Sequence, residues 1–176
     1  MNMPRGQQLL LPVNPLFIAA TLLGALLLNI LQNVGWFGRA AWTPDLLALV
    51  LVFWSVHQPQ RVGIGVAFFF GLGMDVHQSS LLGQHALAYT VLTFLAIAIH
   101  RRLLWFPVPS QALQVLPLFL AAHLVSLLLR MMGGAAFPGW AVFLAPVVQA
   151  MLWPLVTLLL LAPQRRAPDP DKHRPL

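Results

Sequence analysis

Six runs of apolar residues, separated by short polar segments or by proline and glycine, make up most of this chain. They cover residues 15–34, 44–56, 62–75, 85–99 or as far as 106, 111–131 and 140–161. An α-helix needs about 20 residues to cross a hydrocarbon core of about 30 Å, and most of these runs reach that length. The pattern therefore predicts an all-α polytopic membrane protein with six transmembrane helices.

The second and third runs, residues 44–56 and 62–75, are too short for a comfortable span. They either cross the membrane surrounded by protein or form a re-entrant hairpin that turns at residues 58–61. We expect six spans rather than four spans and a hairpin, and both arrangements place Asp45 and Asp75 on the same side of the membrane. The prediction is one membrane domain over residues 1–163, followed by a disordered cytoplasmic tail over residues 164–176.

Composition supports this reading, since 59% of the residues are hydrophobic and 8% are charged. Soluble domains carry about 25% charged residues. The net charge of +6 does not indicate nucleic-acid binding, because the basic residues flank the apolar runs or lie in the last twelve positions. With the N-terminus inside, eight of the ten basic residues fall on the inner side and only Arg39 and Arg130 on the outer side. The positive-inside rule then predicts cytoplasmic termini and places residues 43–45, 75–84 and 132–139 outside.

Asp45 and Asp75 are the only carboxylates before the last eight residues, and each lies at the edge of an apolar run. A carboxylate at mid-membrane costs about 2.5 to 3.5 kcal/mol on insertion scales, so those that are kept lie at an interface, pair or serve a site. Thr43, Pro44 and Asp45 predict an N-cap, a first-turn proline and an acid near the positive end of the helix dipole. We expect both carboxylates at the outer ends of adjacent antiparallel helices, close to each other.

The third run carries small residues at helical spacing. Gly63, Ala67 and Gly71 recur every four residues and share one helix face, with Gly65 and Gly73 beside it. Small residues at this spacing let two helices approach closely in lipid. We interpret the face as packing within the chain, with a partner-binding surface as the alternative.

Catalytic and metal sites find little support. Asp75, His77, Ser79 and Ser80 are the residue types of a hydrolytic triad, but residues two apart on a helix point in different directions. The six histidines form no H-x-x-x-H pattern, and the chain contains no glutamate and no cysteine. Zinc sites are built from such patterns, so we predict a protein without a metal, a cofactor or an enzymatic activity.

Four segments carry a resemblance to a known family. They are PDLLALVLVFW from Pro44, P-x-R-V-G-x-G-V-A-F over residues 59–68, G-L-x-x-D over residues 71–75 and LLGQHALAY over residues 81–89. In order and spacing they resemble the MreD family of rod-shape-determining inner-membrane proteins. The resemblance is concentrated in this central part of the chain, and the rest agrees in size and number of apolar runs.

The resemblance implies a bacterial inner-membrane protein of the elongasome, which directs peptidoglycan synthesis along the side wall. It implies binding to MreC, a single-span protein with a periplasmic coiled coil, and action together with MreB, RodA and a class B penicillin-binding protein. It also implies a helical fold similar to the substrate-binding subunits of energy-coupling-factor vitamin transporters.

These considerations lead to one hypothesis and two rivals. The second and third helices and the following loop form the partner-binding and fold-specifying centre of a scaffold protein. The first rival is the substrate-binding subunit of a small-molecule transporter with an outward cavity, and the second is an intramembrane hydrolase that uses Ser79 or Ser80. The candidate residues of the centre are Pro44, Asp45, Arg61, Gly63, Gly65, Gly71, Asp75, Gly83, Gln84 and His85.

Overall fold

The described part of the chain folds into six α-helices. The structure, a computed structural model, describes residues 13–36 and 40–164, and those ranges contain helices, turns and no strand. The helices are α1 Pro15–Leu31, α2 Leu46–His57, α3 Ile64–Gln78, α4 Gln84–Leu104, α5 Val108–Met132 and α6 Leu144–Leu161. Each predicted apolar run corresponds to one helix, so the all-α prediction is confirmed. The predicted tail lies outside the described residues, apart from Gln164.

Four helical segments are long and apolar enough to cross a membrane. They are Pro15–Val34, Gln84–Leu104, Val108–Met132 and Trp140–Gln164. The first includes the beginning of a π-helical stretch, Gln32–Trp36, that continues α1, and the last includes short 3-10 turns on both sides of α6. The two remaining helices, α2 with 12 residues and α3 with 15, are shorter than a standard span.

The short helix α2 lies in the centre of the bundle. Nine of its 12 residues are buried, and it packs against α1, α4 and α6. Trp54 stacks edge-on against Phe17 of α1 and Phe53, and its indole N–H donates to the Thr21 hydroxyl at 2.9 Å. A helix that is apolar on all sides needs a buried position. Because protein surrounds α2, its length need not match the thickness of a bilayer.

Two polar contacts show how far α2 extends beside α1. At one end Asn29 bonds to Asp45, and at the other the Arg61 guanidinium donates to the Val13 carbonyl oxygen at 2.7 Å. Val13 and Asn29 are sixteen positions apart in the chain, and so are Asp45 and Arg61. At about 1.5 Å per residue, the matching part of α1 is about 24 Å long. The segment from Asp45 to Arg61 therefore runs antiparallel to α1 over most of the length of that helix.

Helix α3 packs against α4 through its small residues. Ala67 is fully buried, and a Cβ added at Gly71 would overlap the backbone of His85 and Ala86 in α4. Gly65 and Gly73 lie elsewhere on the helix, where a Cβ would meet nothing within 4 Å. The predicted small-residue face therefore packs within the chain at Ala67 and Gly71.

Candidate functional site

The connections α1–α2, α3–α4 and α5–α6 meet at one end of the bundle, which we call the carboxylate end because it contains Asp45 and Asp75. An open groove of about 1110 Å³ lies there. Residues from all three connections line it, among them Asn33, Ala41, Thr43, Gln78, Ser79, Gln84, Arg130, Gly133 and Pro138. The opposite end contains the α2–α3 and α4–α5 turns.

Asp45 is the N-cap of α2 and joins three helices. Its Oδ1 accepts from the backbone N–H of Ala48 at 3.0 Å and from the side-chain amide of Asn29 in α1 at 2.5 Å. Its Oδ2 accepts from the hydroxyl of Tyr89 in α4 at 2.5 Å. A capping carboxylate also gains from the helix dipole, by about 0.3 to 1 kcal/mol. The predicted N-cap at Thr43 and the predicted first-turn proline at Pro44 are wrong, because the helix begins after Asp45, whose carboxylate accepts from the Ala48 N–H. The Thr43 hydroxyl instead donates to the Ala40 carbonyl oxygen.

Two amide side chains complete the surroundings of Asp45. The Asn29 oxygen accepts from the backbone N–H of Leu46 at 2.9 Å, so Asn29 binds both the cap and the first turn of α2. From α6, the Gln149 side-chain N–H donates to the Asp45 carbonyl oxygen at 3.0 Å. Through these contacts the start of α2 is bonded to α1, α4 and α6.

Asp75 lies near the end of α3 and caps the neighbouring helix α4. Its Oδ1 accepts from the Ser80 hydroxyl at 2.9 Å and from the backbone N–H and ring Nδ1 of His85, each at 2.8 Å. Its Oδ2 accepts from the backbone N–H groups of Gly83 at 2.9 Å and Ala86 at 3.3 Å. The first N–H groups of a helix have no partner within the helix. The carboxylate of Asp75, which is fully buried and belongs to α3, is the acceptor for N–H groups at the start of α4.

Gly83 has a conformational reason to be at this position. It is the N-cap residue of α4 with φ of 103°, in the left-handed region that favours glycine, and it offers no side chain for capping. The turn from Ser79 to Gly83 thereby wraps around the Asp75 carboxylate, which takes over the capping role.

Helix α4 brings the two carboxylates to one place. Asp75 bonds to His85 and Asp45 bonds to Tyr89, four residues further along α4. The rings of His85 and Tyr89 pack edge to face with their centres 6.0 Å apart. Both carboxylates are thus bound on the first two turns of the same helix.

The structure brings together some of the candidate residues and separates others. Asp45 belongs to one hydrogen-bonded group, and Asp75, Gly83 and His85 belong to a second. The two groups meet on α4 through the packed rings of His85 and Tyr89, and we call them together the carboxylate network. Pro44 immediately precedes it. Gln84 donates to the Ser126 hydroxyl of α5 at 2.9 Å and lines the groove.

Three of the other candidates lie apart from this network. Arg61 and Gly63 belong to the opposite end, where Arg61 binds Val13 and Gly63 is the N-cap of α3. Gly65 is exposed on the side of α3. Gly71 does not join the hydrogen bonds, but it allows α3 to approach the first turn of α4.

Sequence reasoning did not find three members of the network, Asn29, Tyr89 and Gln149. Signals for them existed, because Tyr89 is the only tyrosine of the chain and the two amides interrupt apolar runs. A polar residue inside a membrane helix usually finds a partner on another helix.

The arrangement around Asp75 does not form a hydrolytic triad. Ser80 and His85 both bind the same carboxylate, so the acid lies between the serine and the histidine. A triad needs the histidine in the middle, where it accepts the proton of the nucleophile. In the described part of the chain, no three histidine or acidic side chains are grouped so that they could hold a metal ion.

Comparison with known proteins identifies relatives of this chain. Residues 13–162 match the family model described as rod shape-determining protein MreD. The Rod shape-determining protein MreD of Haemophilus influenzae is 31% identical over 121 residues, which cover 66% of this chain and 72% of that protein. No solved structure matches the chain.

Proposed function

Because this chain belongs to the MreD family of rod shape-determining proteins, we propose that it is a non-enzymatic scaffold of cell-wall elongation. In this role it binds MreC and connects it to the peptidoglycan synthesis machinery. The family and the four long apolar helices support a multi-pass protein of the inner membrane with a role in rod shape. RodA, a class B penicillin-binding protein and MreB are further partners in the same assembly.

The observation that carries the proposal is the groove at the carboxylate end. Its walls come from all three connections at that end, so its shape depends on how the six helices are assembled. The network of Asp45 and Asp75 lies beside it and fixes the start of α2 and of α4. We propose that the segment of MreC that emerges from the membrane binds in this groove.

In the proposed complex, Asp45 and Asp75 do not contact the partner directly. The Asp75 side chain has no exposed surface, and both oxygens of Asp45 accept hydrogen bonds from this chain. A partner therefore contacts the groove residues, and the carboxylates act by holding the groove in shape.

The proposed orientation puts the groove on the periplasmic side and both termini in the cytoplasm. Among the described basic residues, Arg61, Arg101 and Arg102 lie at the opposite end and Arg130 at the carboxylate end. This distribution supports a cytoplasmic opposite end under the positive-inside rule. We also propose that α2 and α3 cross the membrane within the domain of residues 1–163, since the segment from Asp45 to Arg61, which contains α2, extends beside most of α1.

The rival transporter function needs a pocket for a small molecule. The cavity beside Asp45 and His85 has a volume of about 60 Å³. Pockets for drug-sized ligands have about 300 to 1,000 Å³. This cavity is therefore too small for such a ligand, whereas the groove of about 1110 Å³ is not, so it is the family that favours the scaffold over the transporter.

Affinity purification from native membranes tests the proposal. Ala41 is an exposed residue of the groove wall, and Ala41→Trp places a large ring there without removing an internal contact. We expect it to reduce co-purified MreC about tenfold, equivalent to about 1.4 kcal/mol. Ala98→Trp, the same change at an exposed position of α4 outside the groove, is the control and should retain MreC.

Two results would count against the scaffold. Undiminished MreC with Ala41→Trp would remove the groove as its binding site. Purification of the protein with an ATPase module or a retained small molecule, instead of wall-synthesis proteins, would favour the transporter.

A further inference from the structure

A small cavity lies next to the carboxylate network, between α2, α4, α5 and α6. Its volume of about 60 Å³ is several times the roughly 10 to 15 Å³ that one water molecule needs. Six residues with polar side chains contribute to its lining: Asp45, His85, Tyr89, His123, Ser126 and Gln149. The cavity therefore suits a ligand of one or a few atoms together with water.

Gln149 has an oxygen atom without a hydrogen-bond partner. The residue is completely buried, and its side-chain N–H donates to the Asp45 carbonyl oxygen. Its Oε1 is buried and accepts no hydrogen bond from the protein. Buried polar atoms almost always have a partner, and a donor or a cation in the cavity would supply one for this oxygen.

The two histidines of the lining also present acceptors. The His123 Nδ1 lies 3.0 Å from the Phe119 carbonyl oxygen, and the His85 Nδ1 lies 2.8 Å from the Asp75 carboxylate. Since both partners can only accept, each Nδ1 carries the hydrogen, and Nε2 of a neutral ring is an acceptor. The Tyr89 hydroxyl has already donated its hydrogen to Asp45. The lining therefore offers several acceptors, and the Ser126 hydroxyl, which accepts from Gln84, is a donor among them.

The charged side chains around the cavity are negative. Asp45 lines it and Asp75 binds His85 of its wall, whereas no lysine or arginine is among the lining residues. Within residues 13–36 and 40–164, no group of three histidine or acidic side chains is placed to share a metal ion. A transition-metal centre with three protein ligands is thus not formed. A small ion whose coordination is completed by water fits the same walls.

We infer that this cavity binds one small monovalent cation. Its protein ligands are the oxygens of Asp45, Tyr89 and Gln149, since alkali and other hard cations bind oxygen ligands. The ion joins α2, α4 and α6 at the point where they already exchange hydrogen bonds. A ligand that binds only the folded protein raises its stability, so the site makes the stability of the bundle depend on the cation.

Thermal unfolding of the purified full-length protein in detergent tests this inference. The chloride salts of sodium, potassium and the bulky cation N-methylglucamine are compared at constant ionic strength. We expect Na⁺ or K⁺ to raise the Tm saturably, by about 3 °C at ten times its Kd, relative to N-methylglucamine. Equal Tm values in all three salts would overturn the inference.

Three variants assign the effect to the cavity. Gln149→Leu removes the unpaired oxygen, and Ala122→Leu fills the cavity from α5 without changing a polar group. Both should lose the cation-dependent rise. The control is Thr157→Val, because Thr157 is another buried residue of α6 with an unpaired oxygen but does not line the cavity. Thr157→Val should keep the cation-dependent rise of the Tm. A rise of wild-type size in Ala122→Leu would refute the site, even if Gln149→Leu does not fold.

Discussion

Asp45 and Asp75 are aspartates at the same end of the bundle, yet the protein holds them in different ways. Asp75 accepts from residues five to eleven positions further along the chain, mostly backbone N–H groups of α4. Asp45 accepts from Asn29 and Tyr89, which are 16 and 44 positions away, and its carbonyl accepts from Gln149, 104 positions away. Asp75 thus stabilises a local hairpin of α3 and α4, whereas Asp45 needs the assembled bundle.

This difference indicates where a substitution acts. Loss of the Asp75 carboxylate leaves donors without partners at the start of α4, so it damages one helix end. Loss of a hydrogen-bond partner of Asp45 weakens the packing between helices that are already formed. Loss of the Asp75 carboxylate should therefore lower the free energy of unfolding more than loss of a partner of Asp45.

The largest effect is expected for Asp75→Ala. It leaves three backbone N–H groups of the first turn of α4 without their acceptor. A buried unpaired group costs about 1 to 3 kcal/mol, and Gly83 and His85 are only half-buried, so the free energy of unfolding should fall by about 3 to 5 kcal/mol. Unfolding in mixed detergent micelles measures it. Asp75→Asn, which keeps one oxygen in place, should lose less, and equal stability of Asp75→Ala and wild type would refute the capping role.

A second prediction concerns the approach of α3 to α4, which places Asp75. The Cβ of Gly71→Ala would overlap the backbone of His85 and Ala86. We expect a loss of about 1 to 3 kcal/mol from overpacking. Gly73→Ala is a matched control two residues away with open space around it, and alanine is favoured over glycine in a helix by about 0.5 to 1 kcal/mol. Similar stability changes for both variants would contradict this packing.

The smallest effect is expected for Tyr89→Phe, which removes one donor from Asp45 and little volume. The free energy of unfolding should fall by about 1 to 2 kcal/mol. A double-mutant cycle with Asp45→Asn separates this bond from the rest of the network. Additive effects of the two substitutions would show that the bond does not contribute.

The six helices could be predicted from the sequence because each is one apolar run. The carboxyl-terminal ends of α5 and α6 agree with the predicted runs to within one residue. It also predicted that Asp45 and Asp75 share one end. It did not predict Asn29 or Gln149 as partners of Asp45. Hydrophobic periodicity indicates which face of a helix is buried, but not the relative depth of two helices that are far apart in the chain. That depth determines which polar side chains meet.

In the proposed function, MreC binds in the groove at the carboxylate end. The chain contains no cysteine, so single cysteines can be introduced and cross-linked in native membranes without background from the protein itself. We predict that Ala41→Cys and Gln78→Cys, two exposed positions of the groove, cross-link to MreC, and that Ala98→Cys on α4 does not. Cross-linking from Ala98→Cys, with none from the two groove positions, would contradict the account.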